Sequence, residues 1–229
     1  MATIRAFTTN SLCGPATELY ARFERATGHR VDATYGPAKA ILRDIAGGAS
    51  ADVALLGTGS IDDLLAPGVL DRSTLRAIAA SGVGIGVKAG APKPDVSTPE
   101  KFIAALRSAE SIAHTTEGAS GMYFGQLLVE LGLADELQPK LRTQPGGLIG
   151  EVLVAGRAAL GIQQVSELMA VPGVELAGTL PAPWQRMFEN SGALFAKASE
   201  RAAAQALLDY MVSKEAGEVY RARGLEPIA

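Results

Sequence analysis

Four short stretches of this chain share one design: an apolar run ends, small or hydroxyl-bearing residues follow, and a helical pattern begins. They are TTNSLCGP (8–15), YGPAK (35–39), TTEGASGMY (115–123) and QPGGLIG (144–150). A repeated strand-to-helix turn constrains a fold strongly, because parallel strands need a long crossover and a helix is the usual one. The chain is therefore expected to be an α/β protein with a largely parallel sheet. In such sheets ligands bind beyond the carboxyl ends of the strands, where these turns lie. An exposed helix start also offers unpartnered N–H groups and the positive end of the aligned peptide dipoles, so the four turns together suit a small anion.

Residues 3–7 read as the first strand and 15–27 as a helix. Pro15 suits the first helical position, Leu19, Phe23 and Ala26 share a face, and Gly28 suits the C-terminal cap. A strand at 30–35, a helix at 38–46 and a strand at 53–56 complete a β-α-β-α-β lobe. A glycine-broken apolar strand (81–87) then leads into GAPKPDVSTPEKF, where a helix starts at Thr98-Pro99-Glu100 and the chain crosses into a second lobe. That lobe is expected to hold strands at 111–114 and 159–163 and helices at 122–131 and 148–155. A second proline-rich connector at 181–184 precedes a strand at 193–196 and helices at 200–213 and 214–223. The division expected is residues 1–82 plus 188–229 for the first lobe and 83–187 for the second.

With 229 residues, 48% of them hydrophobic and 20% charged, and a formal net charge of -3, the chain has the composition of an ordinary globular protein and lacks the basic face of a nucleic-acid binder. Its longest apolar runs fall short of the roughly 20 residues that span a bilayer, so no membrane insertion is expected. Two histidines (His29 and His114) and one cysteine (Cys13) give no metal-ligand spacing. Neither G-x-S-x-G nor a phosphate loop ending in GK[ST] occurs, and GVGIGV (82–87) does not open a helix as a dinucleotide fingerprint must. No metal and no cofactor are expected. The start, MATIRAFTTN, runs directly into a strand without a secretory signal. The location expected is periplasmic if a leader has been removed, and cytoplasmic otherwise.

Beyond this pattern, FTTNSL after the first strand, GGASADVALLGT (47–58), AGRAALGIQQVSEL (155–168) and the ending LLDYMVSKEAGEVYRARGLEPI (207–228) carry a resemblance along essentially the whole chain. The chain resembles the type II periplasmic solute-binding proteins, and within them the molybdate-binding group. The resemblance implies a two-lobed α/β fold with a hinge and an interlobe cleft, usually monomeric, closing on a small anion and serving a membrane ABC permease if the chain is exported. It also implies that Ser11 binds a ligand oxygen and that the turn at Ser120 offers a backbone N–H. The second turn departs from the molybdate group, which has a run of serines where this chain has Pro37, Ala38 and Lys39. Gln164 stands where that group has a tyrosine.

Lys39 falls in the first turn of a helix, where a cation faces the positive end of the dipole at a cost of a few tenths of a kcal/mol, and a bound anion would remove that conflict. A lysine together with Gln163 and Gln164 suits an organic anion with spread carboxylates better than a tetrahedral oxyanion. The ligand-binding residues expected are Asn10, Ser11, Pro37, Ala38, Lys39, Ser120, Gly121, Gly147, Leu148, Gln163 and Gln164. The alternative to a binding protein is an isomerase, because the chain is also similar to bacterial aconitate isomerase, an offshoot of the same fold that shifts a proton along a tricarboxylate. That chemistry needs a positioned base and donors for the developing charge, and Lys39, His114, Glu117 and Glu167 are the candidates.

Overall fold

The computed structural model describes residues 1–228, and these form two compact units. Unit 1 comprises Met1–Ala80 and the chain from Glu189 onward, and unit 2 is the contiguous segment Ser81–Phe188.

Unit 1 begins with β1 (Thr3–Thr9), a short 3-10 turn at Asn10–Leu12, and α1 (Cys13–Thr27). The helix buries Pro15, Ala16, Leu19, Tyr20 and Phe23, and ends where Gly28, at φ 74°, donates its N–H to the Glu24 carbonyl at 2.9 Å. Only a residue without a Cβ adopts that conformation freely, so the glycine fixes the helix end. Then follow β2 (Arg30–Gly36), α2 (Ala38–Ala46), β3 (Val53–Gly57), α3 (Thr58–Leu65) and the first half of β4 (Arg76–Lys88), in which the chain passes into unit 2.

Unit 2 continues with α4 (Pro99–Ser108), β5 (Ile112–Thr115), α5 (Ala119–Glu130), the one-turn α6 (Ala134–Leu137), β6 (Leu141–Gln144), α7 (Ile149–Val154), β7 (Leu160–Gln164), α8 (Val165–Met169) and β8 (Val174–Thr179). Thr98 caps α4 by accepting from the Lys101 N–H at 3.3 Å, with Pro99 in the first helical position. The chain leaves unit 2 within β9 (Met187–Leu194), and α9 (Arg201–Met211), α10 (Lys214–Ala222) and β10 (Glu226–Pro227) complete unit 1.

In unit 1, β1 pairs in parallel with β2 on one side and β3 on the other, and β9 runs antiparallel to β3. In unit 2, β5 lies parallel between β6 and β7, while β4 runs antiparallel to β7 and to β8. Each sheet is thus parallel where helices connect its strands and antiparallel where β4 and β9 enter. The core of unit 1 is assembled from both ends of the chain, with Ile4, Leu12 and Phe23 packed alongside Ala204, Leu208, Met211 and Tyr220. Unit 2 buries Val83, Phe102, Phe124, Leu127 and Ile162.

Several elements differ from the sequence expectation. α1 starts at Cys13, two residues before Pro15, α5 starts three residues earlier than expected, and β9 starts six residues earlier, with its polar Asn190 paired to Gly57 of β3. α3, β6 and β8 were not anticipated, being short and without clean periodicity.

Candidate functional site

In unit 1 the carboxyl ends of the parallel strands are brought level: Thr9 pairs with Gly36, and Thr8 with both Tyr35 and Leu55. The residues expected from the first two turns, Asn10, Ser11, Pro37, Ala38 and Lys39, therefore lie at one edge of this sheet. Ser11 is buried, and its hydroxyl donates to Asn190 Oδ1 at 2.8 Å; the Asn190 amide in turn donates to the Ala79 carbonyl at 3.3 Å. Asn190 arrives there on β9 as the partner of Gly57. Beside it, Thr58 and Ser191 share a hydroxyl hydrogen bond of 2.8 Å. Pro37 has an extended ψ of 141° and accepts from the Ala40 N–H, which opens α2 with Lys39 in its first turn. The Lys39 side chain is exposed, and among the described residues it has no ion-pair partner.

In unit 2 the turns after β5 and β6 are tied together: the Thr116 N–H donates to the Gln144 carbonyl and the Glu117 N–H to the Pro145 carbonyl, each at 2.9 Å. Ser120 and Gly121 open α5. A Cβ on Gly121 would sit 2.0 Å from the Thr115 carbonyl oxygen, so only glycine lets the helix start come this close to the strand end. The other loop is held by Gln163, whose amide accepts from the Ile149 N–H at 2.7 Å and donates to the Gly147 carbonyl at 2.9 Å. Gly147, at φ 93°, makes the turn, and Leu148 precedes α7. Gln163 is thus engaged at both ends of its amide in shaping the loop.

Gln164 differs. Its Oε1 is buried and faces the Glu167 N–H in a capping box that opens α8, yet makes no hydrogen bond of ordinary geometry, and Ser166 Oγ and Thr115 Oγ1 are likewise buried without a partner. All three sit where β5 or β7 ends, and an unpartnered buried acceptor or hydroxyl is costly enough to mark a place where a ligand or water belongs. Glu167 is also buried there, with one carboxyl oxygen 3.4 Å from the Gln164 N–H. Burial pushes its carboxyl up to about 8, only partly offset by that hydrogen bond.

His114 is packed into the interior of unit 2, edge-on to Phe124 at 5.3 Å between ring centroids, with Nδ1 3.0 Å from the Thr115 carbonyl. Burial lowers its pKa, partly offset by hydrogen bonding to the Thr115 and Gly121 backbone. Glu117 is half-buried at the turn before α5. Sequence reasoning missed Asn190, Thr58, Ser191, Thr115 and Ser166; hydroxyls at strand ends were the available signal for Thr115, whereas the β9 residues are placed only by long-range pairing. Among the described residues no cluster of three His, Cys, Asp or Glu could hold a metal, and no helix is long and apolar enough to cross a membrane. A cavity of about 400 Å³ lined by Lys88, Pro92, Ala105, Glu110 and Leu160 lies at the opposite end of the unit 2 strands.

The chain is 33% identical over 234 residues to an aconitate isomerase of Pseudomonas sp, a match covering 100% of this chain and 89% of that protein. Its fold matches that of the periplasmic molybdate-binding protein of Azotobacter vinelandii, with a TM-score of 0.82 and 20% identity over 97% of this chain and 98% of the other. The sulfate-binding protein SubI of Mycobacterium tuberculosis matches with a TM-score of 0.78 and 19% identity, over 100% and 88% of the two chains. Residues 4–226 match the family of bacterial extracellular solute-binding proteins, and the chain belongs to that family.

Proposed function

We propose that this protein binds a small organic anion carrying two or more carboxylates, and as an exported binding protein would deliver it to a membrane ABC permease. The observation that carries the reading is Lys39: an exposed cation, unpaired among the described residues, in the first turn of α2, where the helix itself disfavours it. Tetrahedral oxyanions are served by neutral hydroxyls and N–H groups, and the edge that carries Lys39 has replaced hydroxyls with Pro37, Ala38 and a point charge. In unit 1 the N–H groups opening α2 would supply the neutral donors beside Lys39. The test is calorimetric titration with citrate, cis- and trans-aconitate, molybdate and sulfate. Binding of the tricarboxylates with no heat from molybdate or sulfate is the expected outcome, and the reverse pattern would refute the reading.

A second reading is isomerisation of such a tricarboxylate, favoured by the full-length identity to an aconitate isomerase. A carboxyl raised to about 8 exchanges protons near neutral pH, which makes Glu167 a better candidate base than His114, whose Nδ1 is committed to a backbone carbonyl. Incubation with cis-aconitate followed by NMR decides this: appearance of the trans form, lost in Glu167→Gln, supports catalysis, and unchanged cis-aconitate leaves a receptor only.

A further inference from the structure

The cavity at the far end of the unit 2 strands is built differently from the turns described above. Strand order in this part of the sheet runs β4-β7-β5, with β7 antiparallel to β4 and parallel to β5. The cavity, of about 400 Å³, therefore opens where β4 finishes and where β7 and β5 begin. Its volume falls in the range of about 300–1,000 Å³ in which small-molecule sites lie.

Its apolar lining includes Ala105, Leu153, Ala158 and Leu160, all buried. Two residues of opposite charge, Lys88 and Glu110, line it as well. Both are exposed, and among the described residues neither forms an ion pair. The third charged residue of the lining, Lys93, is already held by Glu175 at 2.8 Å.

The sheet explains why Lys88 and Glu110 stay apart. Lys88 lies two residues beyond Gly86, which pairs with Gly161 of β7. Glu110 lies two residues before Ile112, which pairs with Leu160 of the same strand. Neighbouring strands are about 4.8 Å apart, so the backbones of β4 and β5 stand about 10 Å apart with β7 between them. Unlike charges set on either side of an apolar cavity at that spacing complement a small molecule that itself carries both signs. The Glu110 side is reinforced, because Ala105, Ser108 and Ala109 beside the cavity belong to the last turn and cap of α4, where the peptide dipoles favour a cation.

We propose that this cavity is a binding site in its own right, for a free α-amino acid with a large apolar side chain. The carboxylate meets Lys88, the ammonium meets Glu110 and the carbonyl end of α4, and the side chain rests on Leu153 and Leu160. The site lies at the opposite end of β5 and β7 from Thr115 and Gln164, so it stands or falls independently of the polycarboxylate reading.

The experiment is a set of saturation-transfer NMR titrations with L-phenylalanine, 3-phenylpropionate, which lacks the ammonium, and 2-phenylethylamine, which lacks the carboxylate. Each is added to the unaltered protein, Lys88→Met, Glu110→Gln and Ala159→Trp, with melting midpoints showing that the variants fold. L-phenylalanine is expected to bind the unaltered protein with a Kd of about 1 mM or tighter, and each singly charged analogue about tenfold more weakly, the loss of one charge-assisted contact. Lys88→Met should erase the advantage of L-phenylalanine over 2-phenylethylamine, and Glu110→Gln its advantage over 3-phenylpropionate. Ala159 is an exposed residue of the lining, and a tryptophan there should fill the cavity and abolish binding of all three. Excess citrate should leave L-phenylalanine bound. Absence of L-phenylalanine binding, equal affinity for the three compounds, displacement by citrate, or undiminished binding in a folded Ala159→Trp would each overturn the proposal.

Discussion

The two units solve the same problem in opposite ways at the carboxyl ends of their strands. In unit 1 the polar side chains satisfy one another: Ser11 with Asn190, Thr58 with Ser191, and Thr8 with the Tyr20 hydroxyl at 2.8 Å. In unit 2 Thr115, Gln164 and Ser166 each keep a buried polar atom without a partner, and Glu167 is buried close to its protonated form. A paired edge is rigid and stable without help, whereas an unpaired one carries a cost that a ligand can remove. Unit 1 thus offers a paired edge with Lys39 exposed beside it, and unit 2 keeps polar groups whose hydrogen bonding a ligand could still complete.

The contrast can be broken from the stable side first. Asp52 is fully buried in unit 1 and accepts from the Arg5, Ser199 and Glu200 N–H groups and from the Ser199 hydroxyl, all within 3.1 Å. Burial raises its pKa, but those donors outweigh it and hold the carboxyl below its ordinary value. Asp52→Ala orphans all four donors and should cost about 3–5 kcal/mol, read by chemical denaturation. Glu167 supplies the matching effect in unit 2. Its folded pKa, raised to about 8, lies above the unfolded one, so the stability it contributes is full below about 4.5 and is lost as pH rises through 8. That loss amounts to about 3–5 kcal/mol, and Glu167→Gln should abolish the slope between pH 5 and 9.

Smaller substitutions sharpen the comparison. Ser11→Ala leaves Asn190 Oδ1 without its donor and should destabilise the protein by about 1–2 kcal/mol. Ser166→Ala removes a hydroxyl that has no partner and should leave the ligand-free protein unchanged or more stable by up to about 1 kcal/mol, while weakening the ligand. Equal losses from both would erase the distinction between the units. Lys39→Ala should have the smallest effect on folding, within about 0.5 kcal/mol, and should lower tricarboxylate affinity by about tenfold. Undiminished affinity would remove Lys39 from the site.

Much of the scaffold was legible because it depends on local chemistry. Gly28 ends α1, Thr98-Pro99 starts α4, and glycine with small residues marks each turn, whereas Pro15 falls third in α1 rather than first. The antiparallel entries of β4 and β9 were not, because polar Asn190 is made strand by a partner, Gly57, more than 130 positions away. The site divides along the same line. Ser11, Lys39 and Ser120 announce themselves as residues opening helices. Gln163 and Gln164 look identical in sequence, yet one spends its amide on Gly147 and Ile149 and the other turns toward the Glu167 N–H at the start of α8, a difference set by which way alternate strand residues point.

The insertion of unit 2 within unit 1 also sets an order of events during synthesis. Ile4, Leu12 and Phe23 leave the ribosome first but cannot bury themselves until Ala204, Leu208 and Tyr220 arrive to cover them. Unit 2 is contiguous and has its whole apolar interior in hand once Phe188 has emerged. The middle of the chain should therefore acquire its native packing before the beginning does. A nascent chain stalled shortly after β9 has emerged would then protect unit 2 from proteases while the first eighty residues remain digestible.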